Sequence, residues 1–220
     1  MPVAALVVLI ATLVLCAELV LGAYAYLRMR AAYQRLHEES GFDFLTTLHT
    51  RREGLRLGAQ LLLQCYRHGF QVAVVLLDLD HFKQINDSYG HRVGDLVLAE
   101  FAARLRGSLR AGDFAVRLGG EEFCVFLAHA AEEQALEASW RLLRTIRARP
   151  VRTSGGVLEI TASAGVAAWR RRESVESLID RADQALYEAK REGRDRARAY
   201  SRLTHSLERS SPGEHRSFAS

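Results

Sequence analysis

The chain has 220 residues, of which 49% are apolar, so it can form one domain with a packed core and some additional segments. Its net charge of +4 arises from 30 Lys and Arg against 26 Asp and Glu. This mixed balance lacks the basic clustering of nucleic-acid-binding proteins, so no nucleic acid partner is expected. The cysteines, Cys16, Cys65 and Cys124, have no metal-ligand spacing and are expected to be reduced, buried thiols.

The first 28 residues predict a membrane anchor. Between Val3 and Leu27 the only charged residue is Glu18, and about 20 apolar residues suffice to cross a bilayer as a helix. A signal peptide is the alternative, but it needs a positive n-region, whereas basic residues begin only at Arg28. The positive-inside rule then places the rest of the chain in the cytosol. Glu18 either pairs helices in the membrane or lies near its interface.

Residues 29–40 are polar and predict a helical linker, which Gly41 ends. Apolar periodicity beyond it predicts helices and strands in alternation. In chain order these are Arg51–Tyr66 (helix), Val72–Leu77 (strand), Val93–Leu109 (helix), Phe114–Leu118 and Phe123–Leu127 (a strand hairpin), Ala131–Ala148 (helix), Leu158–Trp169 (strand) and Ser174–Glu192 (helix). This order predicts an α+β fold, a ferredoxin-like palm with helices flanking a central antiparallel sheet. Residues 201–220 have few apolar side chains and predict a disordered tail.

Acidic side chains concentrate at two predicted strand ends. Asp78 and Asp80 follow the buried strand, where alternation directs both to one side, and the hairpin turn contributes Glu121 and Glu122. Carboxylate oxygens suit Mg²⁺, and glycines in the turn would let a phosphate approach the backbone. A solvated acidic turn is the alternative interpretation of this spacing.

Four sequence segments carry a family resemblance. They read DLDHFKQIND at 78–87, SYGHRVGD at 88–95, RLGGEEF at 117–123 and DQALYEAKREGR at 183–194. They resemble the DxDxFKxxND, yGHxxGD, RxGGEEF and ADxALYxAKxxGR motifs of the GGDEF family, the diguanylate cyclases, here with the GGEEF variant of the signature. The resemblance covers residues 41–200 in order and at family spacing. It implies a catalytic domain there, on the cytosolic side of a bacterial inner membrane.

The resemblance implies the condensation of two GTP molecules into cyclic di-GMP by a homodimer, with Mg²⁺ or, alternatively, Mn²⁺. Asp78, the Leu79 carbonyl and Glu121 would hold one metal ion, and Glu122 the second. Glu121 would also accept the proton of the attacking hydroxyl. Further residues would bind substrate: Asn86 and Asp95 the guanine edge, Gly119 and Gly120 the phosphates, and Lys83, Lys190 and Arg194 the triphosphate. Phe82, in the same motif, would bind substrate by stacking on the base, with the apolar core as its alternative location.

A second site is implied upstream of the hairpin. Residues 110–113 read RAGD and resemble the RxxD motif at which the family's product inhibits the enzyme, so Arg110 and Asp113 would bind cyclic di-GMP. Arg141 would be a further contact. A guanidinium can bind a phosphate or a guanine edge through paired hydrogen bonds.

One segment departs from the family pattern. Where DxLTGLxNRR is usual, residues 43–52 read DFLTTLHTRR, so Thr47 replaces Gly and Thr50 replaces Asn. This puts the geometry of the local turn in question. Two other functions remain open: a catalytically silent module that binds GTP or cyclic di-GMP, and a cyclase with another product. The complete set of metal and guanine residues argues against the first, and Asp95 against the second.

Overall fold

The computed structural model describes residues 16, 18, 20–29, 41–153 and 156–203, which belong to two compact units, Met1–Gly41 and Phe42–Ser220. In the first unit, residues 20–29 are helical. Within the described part of the chain, no helix has both the length and the apolar character needed to cross a membrane. Most of the predicted anchor and linker lies outside the described residues, so both stay predictions.

The second unit contains thirteen described elements. Its helices are α1 (Arg51–His68), α2 (Phe82–Tyr89), α3 (His91–Ser108), α4 (Glu132–Arg147) and α5 (Val175–Arg191). Its strands are β1 (His49–Thr50), β2 (Val72–Leu79), β3 (Phe114–Gly119), β4 (Glu122–Ala128), β5 (Val151–Thr153), β6 (Gly156–Leu158), β7 (Ala162–Ala168) and β8 (Ala197–Ala199).

Six strands form one sheet in the order β1-β3-β4-β2-β7-β8, while β5 and β6 form a separate hairpin. The four inner strands pair antiparallel, but β1 pairs parallel with β3, and β8 parallel with β7. The predicted α+β class is confirmed, whereas the purely antiparallel sheet was wrong because the sheet is mixed. Strands of two and three residues carry no periodicity from which a sequence could reveal these edges.

Alternation along β2 divides the core between the two faces of the sheet. Ala73, Val75 and Leu77 pack in the cluster that contains the apolar residues of α3 and α4, such as Phe101 and Ile146. The intervening residues of β2 pack in the cluster of α1 and α5. Every residue of β2 is buried, as its unbroken apolar run predicts. Asp78 continues the second set and therefore faces the α5 side of the sheet.

Three further sequence predictions can be compared with the structure. The helix predicted from Ser174 is confirmed as α5, and the Ser174 side chain caps it by accepting from the Ser177 amide. The segment after β2 contains an unpredicted helix, α2, whose eight residues are too few to establish a period. Residues 200–203 are helical, and the remainder of the predicted disordered tail lies outside the described residues.

Candidate active site

The two acidic segments meet because β2 and β4 are neighbours. Their register runs from Val72–Ala128 to Asp78–Glu122, and the Leu79 amide donates to the Glu121 carbonyl at 3.4 Å. The turn between β3 and β4 passes through Gly120, whose φ of 49° is readily adopted only by glycine. A side chain at Gly120 would meet open space, so the turn has an unobstructed face.

Asp78 is buried, with 7% of its surface exposed, and its Oδ2 lies 2.9 Å from Lys190 Nζ. Burial raises the pKa of Asp78 above its ordinary value of 3.8, the Lys190 ammonium opposes this, and the charges of Glu121 and Glu122 add to it. The ionisation of Asp78 is therefore coupled to the charges of Lys190, Glu121 and Glu122. A cation bound beside Asp78 would favour its ionised form.

The predicted metal site fits Mg²⁺ in its chemistry and in its backbone placement. All proposed donors, which are Asp78, Glu121, Glu122 and the Leu79 carbonyl, are the oxygen ligands that this ion prefers. Among the described residues, however, no three His, Cys, Asp or Glu side chains converge on one point. Lys190, expected on the triphosphate, is instead paired with Asp78. The ligand set therefore stays a prediction that requires Lys190 to change its partner.

The hairpin turn is held by an arginine, Arg117, to which the sequence analysis assigned no role. Arg117 donates from Nε and Nη2 to the Gly120 carbonyl, at 3.0 and 2.9 Å, and from Nη1 to Asp43 at 3.0 Å. Burial of Asp43 would raise its pKa, but hydrogen bonds from Thr46 and the contact with Arg117 hold that pKa below 3.8. Arg117 thus ties the opening loop of the domain to the turn. The first position of the RxGGEEF motif is the signal that could have indicated it.

The side chain of Asp80 does not join the other carboxylates. It is 5% exposed and accepts hydrogen bonds from Thr161 Oγ1, Ser163 Oγ and the Asp195 amide. With these three donors satisfying it, Asp80 links β2 to β7 and to the segment after α5. The expected group of four carboxylates is therefore not formed, because Asp80 follows the end of β2 and its side chain turns into the protein.

The proposed guanine-binding residues lie on two helices in close contact. Asn86 is half-buried on α2 and Asp95 is exposed in the first part of α3. A Cβ at Gly94 would lie 1.9 Å from Asn86 Oδ1 and 3.2 Å from Phe82 Cζ, so glycine at this position leaves room for the Asn86 side chain. Phe82 itself is 6% exposed and belongs to the core, which is the alternative location that the sequence left open.

The remaining basic candidates lie at helix ends. Lys83 is exposed in the first turn of α2, and Arg194 is exposed in the turn that follows α5. Arg194 and Asp195 both have left-handed backbones, with φ of 61° and 46°. Such conformations are uncommon in residues with a side chain and tend to occur at functional positions.

The predicted product site has a buried and an exposed half. Asp113, with a side chain 4% exposed, accepts from the Ala128 amide at 3.1 Å and lies 3.3 Å from Arg110 Nε. Arg110 also donates to the Ala128 carbonyl, yet 63% of its side chain is exposed. Both residues line a cavity of about 320 Å³. Arg141 is exposed on α4.

Comparisons with known proteins agree with this fold. The family model described as "Diguanylate cyclase, GGDEF domain" matches residues 40–196. Diguanylate cyclase DgcP of Pseudomonas aeruginosa is 44% identical over 154 residues, which are 70% of this chain and 23% of that protein. The α+β architecture and the glycine-acidic hairpin define a GGDEF-type domain. The chain belongs to the GGDEF diguanylate cyclase domain family.

Solved structures extend the similarity to three dimensions. The GGDEF domain of DgcB from Caulobacter crescentus, in complex with c-di-GMP, is 31% identical with a TM-score of 0.70, covering 73% of this chain and 93% of that one. The active GGEEF domain of a diguanylate cyclase from Vibrio cholerae is 30% identical with a TM-score of 0.65, covering 70% of this chain and 97% of that one. The chain spans 23% to 45% of the length of the first curated relatives that it matches.

Proposed function

We propose that this chain condenses two molecules of GTP into cyclic di-GMP and releases two molecules of pyrophosphate. One observation carries the proposal: Asp78 and the Gly120–Glu122 turn are brought together by strand register at an open edge of a GGDEF-type domain. Membership of the family supports the reaction class. The similarity to the Vibrio cholerae protein, whose GGEEF domain is described as active, supports turnover with Glu at the third motif position.

Each of the proposed site residues would have a separate role in the reaction. Asp78, the Leu79 carbonyl and Glu121 would hold one Mg²⁺, and Glu122 a second. When bound, the metal would neutralise phosphate charge and acidify the attacking hydroxyl. Glu121 would take the proton from the 3′-hydroxyl of the ribose. Asn86 and Asp95 would bind the guanine edge, which presents a different set of donors from adenine.

The reaction needs two domains facing each other. The 3′-hydroxyl oxygen of each GTP forms a bond to the α-phosphorus of the other, and each bond from α-phosphorus to the bridging oxygen breaks, releasing pyrophosphate. A single domain holding one GTP cannot supply both partners, so the active form is a homodimer. The predicted membrane anchor and linker, residues 1–40, would favour this dimer by raising the local concentration of domains.

The test is product formation by the purified full-length chain in detergent with GTP and Mg²⁺, followed by mass spectrometry and pyrophosphate release. Cyclic di-GMP is expected from the native chain and to be nearly absent for Glu121→Gln, which keeps the shape of the side chain but removes its charge. Glu133→Gln, the same change at an exposed position on α4, is the matched control and should remain active. Binding of GTP or cyclic di-GMP without any product would instead favour the silent binding module.

A further inference from the structure

Asp80 is a buried carboxylate to which the proposed mechanism gives no role. It lies directly after the strand that presents Asp78, and its two oxygens are fully engaged. Oδ1 accepts from Ser163 Oγ at 2.7 Å, and Oδ2 accepts from Thr161 Oγ1 at 2.8 Å and from the Asp195 amide at 3.0 Å. The two hydroxyls belong to β7 and the residues before it, but the Asp195 amide belongs to a different part of the chain.

Of the three groups that donate to Asp80, the Asp195 amide bears most directly on the role of this carboxylate. It belongs to a turn in which Gly193, Arg194 and Asp195 have φ of 111°, 61° and 46°, three successive left-handed residues of which two carry side chains. Such a turn is unfavourable by itself and persists only where surrounding contacts fix it. The Arg194 amide donates to the Ala189 carbonyl and the Asp195 side chain pairs with Arg147, while Asp80 adds a contact from the protein interior, since its bond to the Asp195 amide fixes the peptide that joins Asp195 to Arg194.

This turn carries the basic groups proposed to meet the triphosphate. Lys190 lies in the last turn of α5, just before it, and Arg194 lies within it. Asp78, which pairs with Lys190 at 2.9 Å, is two positions from Asp80 on the same strand end. The end of β2 therefore contacts the basic segment at two points. Asp78 pairs with the Lys190 side chain, and Asp80 accepts from the Asp195 amide.

We infer that Asp80 is a positioning residue for triphosphate binding: by holding the Asp195 amide it sets the direction of Arg194. The inference rests on the proposed function, because it takes the triphosphate of GTP to be the group that Lys190 and Arg194 meet. Asp80 touches no substrate in this scheme. It acts through the backbone of the turn, and its loss should weaken contacts to the outer phosphates and leave contacts to the guanosine unchanged.

The test compares two ligands that share the guanosine and α-phosphate and differ in the outer phosphates. These are GMP and α,β-methylene GTP, an analogue that cannot release pyrophosphate. Their dissociation constants are measured on the full-length chain in detergent with Mg²⁺. In Asp80→Ala, the affinity for the triphosphate analogue should fall about tenfold, the effect of losing one or two charge-assisted hydrogen bonds, while the GMP affinity changes less than about twofold.

Asp80→Asn is the conservative variant. Its amide oxygen can accept from Thr161 and Asp195 while its NH₂ donates to Ser163 Oγ, so all three contacts survive and both affinities should match the native chain. Should Asp80→Ala fail to fold, Asp195→Pro is the second variant. Proline removes the same amide donor and cannot adopt the left-handed φ, and the position is half-exposed. This variant should likewise lose affinity for the triphosphate analogue and keep its affinity for GMP.

The outcomes separate the alternatives. Equal weakening of both ligands, or unchanged affinity for both in a folded variant, would mean that Asp80 serves only stability and would overturn the inference. A native chain that binds neither ligand would overturn the proposed function itself, and this inference with it. If Asp80→Asn also loses its preference for the triphosphate analogue, the charge of Asp80 matters rather than its contact with Asp195. That result would overturn the inference that Asp80 acts by positioning the turn.

Discussion

Thr47 occupies a backbone conformation that suits the glycine usual in the family pattern. Its φ of 56° is in the left-handed region, where a β-branched residue is an outlier. Its hydroxyl accepts from Arg106, a contact that glycine could not make. Thr50, the other departure, accepts from the Glu53 amide as the N-cap of α1, a role that Asn fills equally well. Both departures therefore concern local stability, and neither is a proposed metal or guanine ligand, although Thr47 lines the cavity beside Arg110.

The strain at Thr47 can be measured with a pair of variants. Thr47→Gly and Thr47→Ala both lose the hydroxyl, but only glycine relieves the left-handed conformation. We expect the glycine variant to be more stable than the alanine variant by about 1 kcal/mol, after the extra freedom of glycine in the unfolded chain is deducted. Urea denaturation of residues 41–220 measures the difference. Equal midpoints would show that the turn adjusts without cost.

The long elements of the domain were predictable, and the short ones were not. The helices α1, α4 and α5 each repeat an apolar stripe over several turns, and β2 is one apolar run, so each reveals itself within its own sequence. The parallel edges β1 and β8 exist only through pairing with distant strands. The same limit applies to the site. Four motifs led to the proposed ligands, but the contact of Arg117 with Asp43 joins residues 74 positions apart and could not be read from either segment.

Two glycines at the contacts between elements should respond differently to the same substitution. At Gly165 on β7, an added Cβ would lie 2.0 Å from the Ala182 carbonyl oxygen and 2.3 Å from the Leu186 amide, both backbone atoms of α5. At Gly94 the nearest obstacle is the end of the Asn86 side chain, which can rotate away. We therefore expect Gly165→Ala to cost about 3 kcal/mol or more of unfolding free energy.

Gly94→Ala should fold but bind GTP about tenfold more weakly, because a displaced Asn86 loses its hydrogen bonds to guanine. Gly107→Ala, at an exposed position of α3 with no atom within 4 Å of the new Cβ, is the control for both variants. Thermal melts and nucleotide titrations distinguish the two effects. A Gly94→Ala variant that binds GTP normally would argue that Asn86 makes no contact with the base.

At the scale of the whole molecule, product inhibition would act through the cavity beside Arg110. Asp113 is buried and holds the Ala128 amide, so Arg110 is the member of the pair exposed to a ligand. We expect Arg110→Ala to raise the cyclic di-GMP concentration needed for half-inhibition about tenfold, with little change in stability. Asp113→Ala should in addition lower the melting temperature, since it leaves the buried Ala128 amide without its acceptor. Arg67→Ala, at the exposed end of α1, is the control.

The proposed dimer predicts a dependence on concentration. The specific activity of residues 41–220 should fall on dilution to the low nanomolar range, whereas the full-length chain in vesicles should lose little, because the predicted anchor would confine it to a surface. Initial rates across a dilution series of both forms provide the comparison. Full activity of the fragment at those concentrations would show that residues 1–40 contribute nothing to assembly.

The two short edges of the sheet also bear on how domains can meet. Among the described residues, the sheet ends in β1 with two residues and β8 with three, so neither edge offers a long row of free backbone groups to another chain. Fusion of two sheets into one continuous ribbon is therefore disfavoured. The proposed dimer would instead form through side chains and loops, contacts that can separate again after each turnover. Short edge strands also disfavour edge-to-edge aggregation between neighbouring copies of the chain.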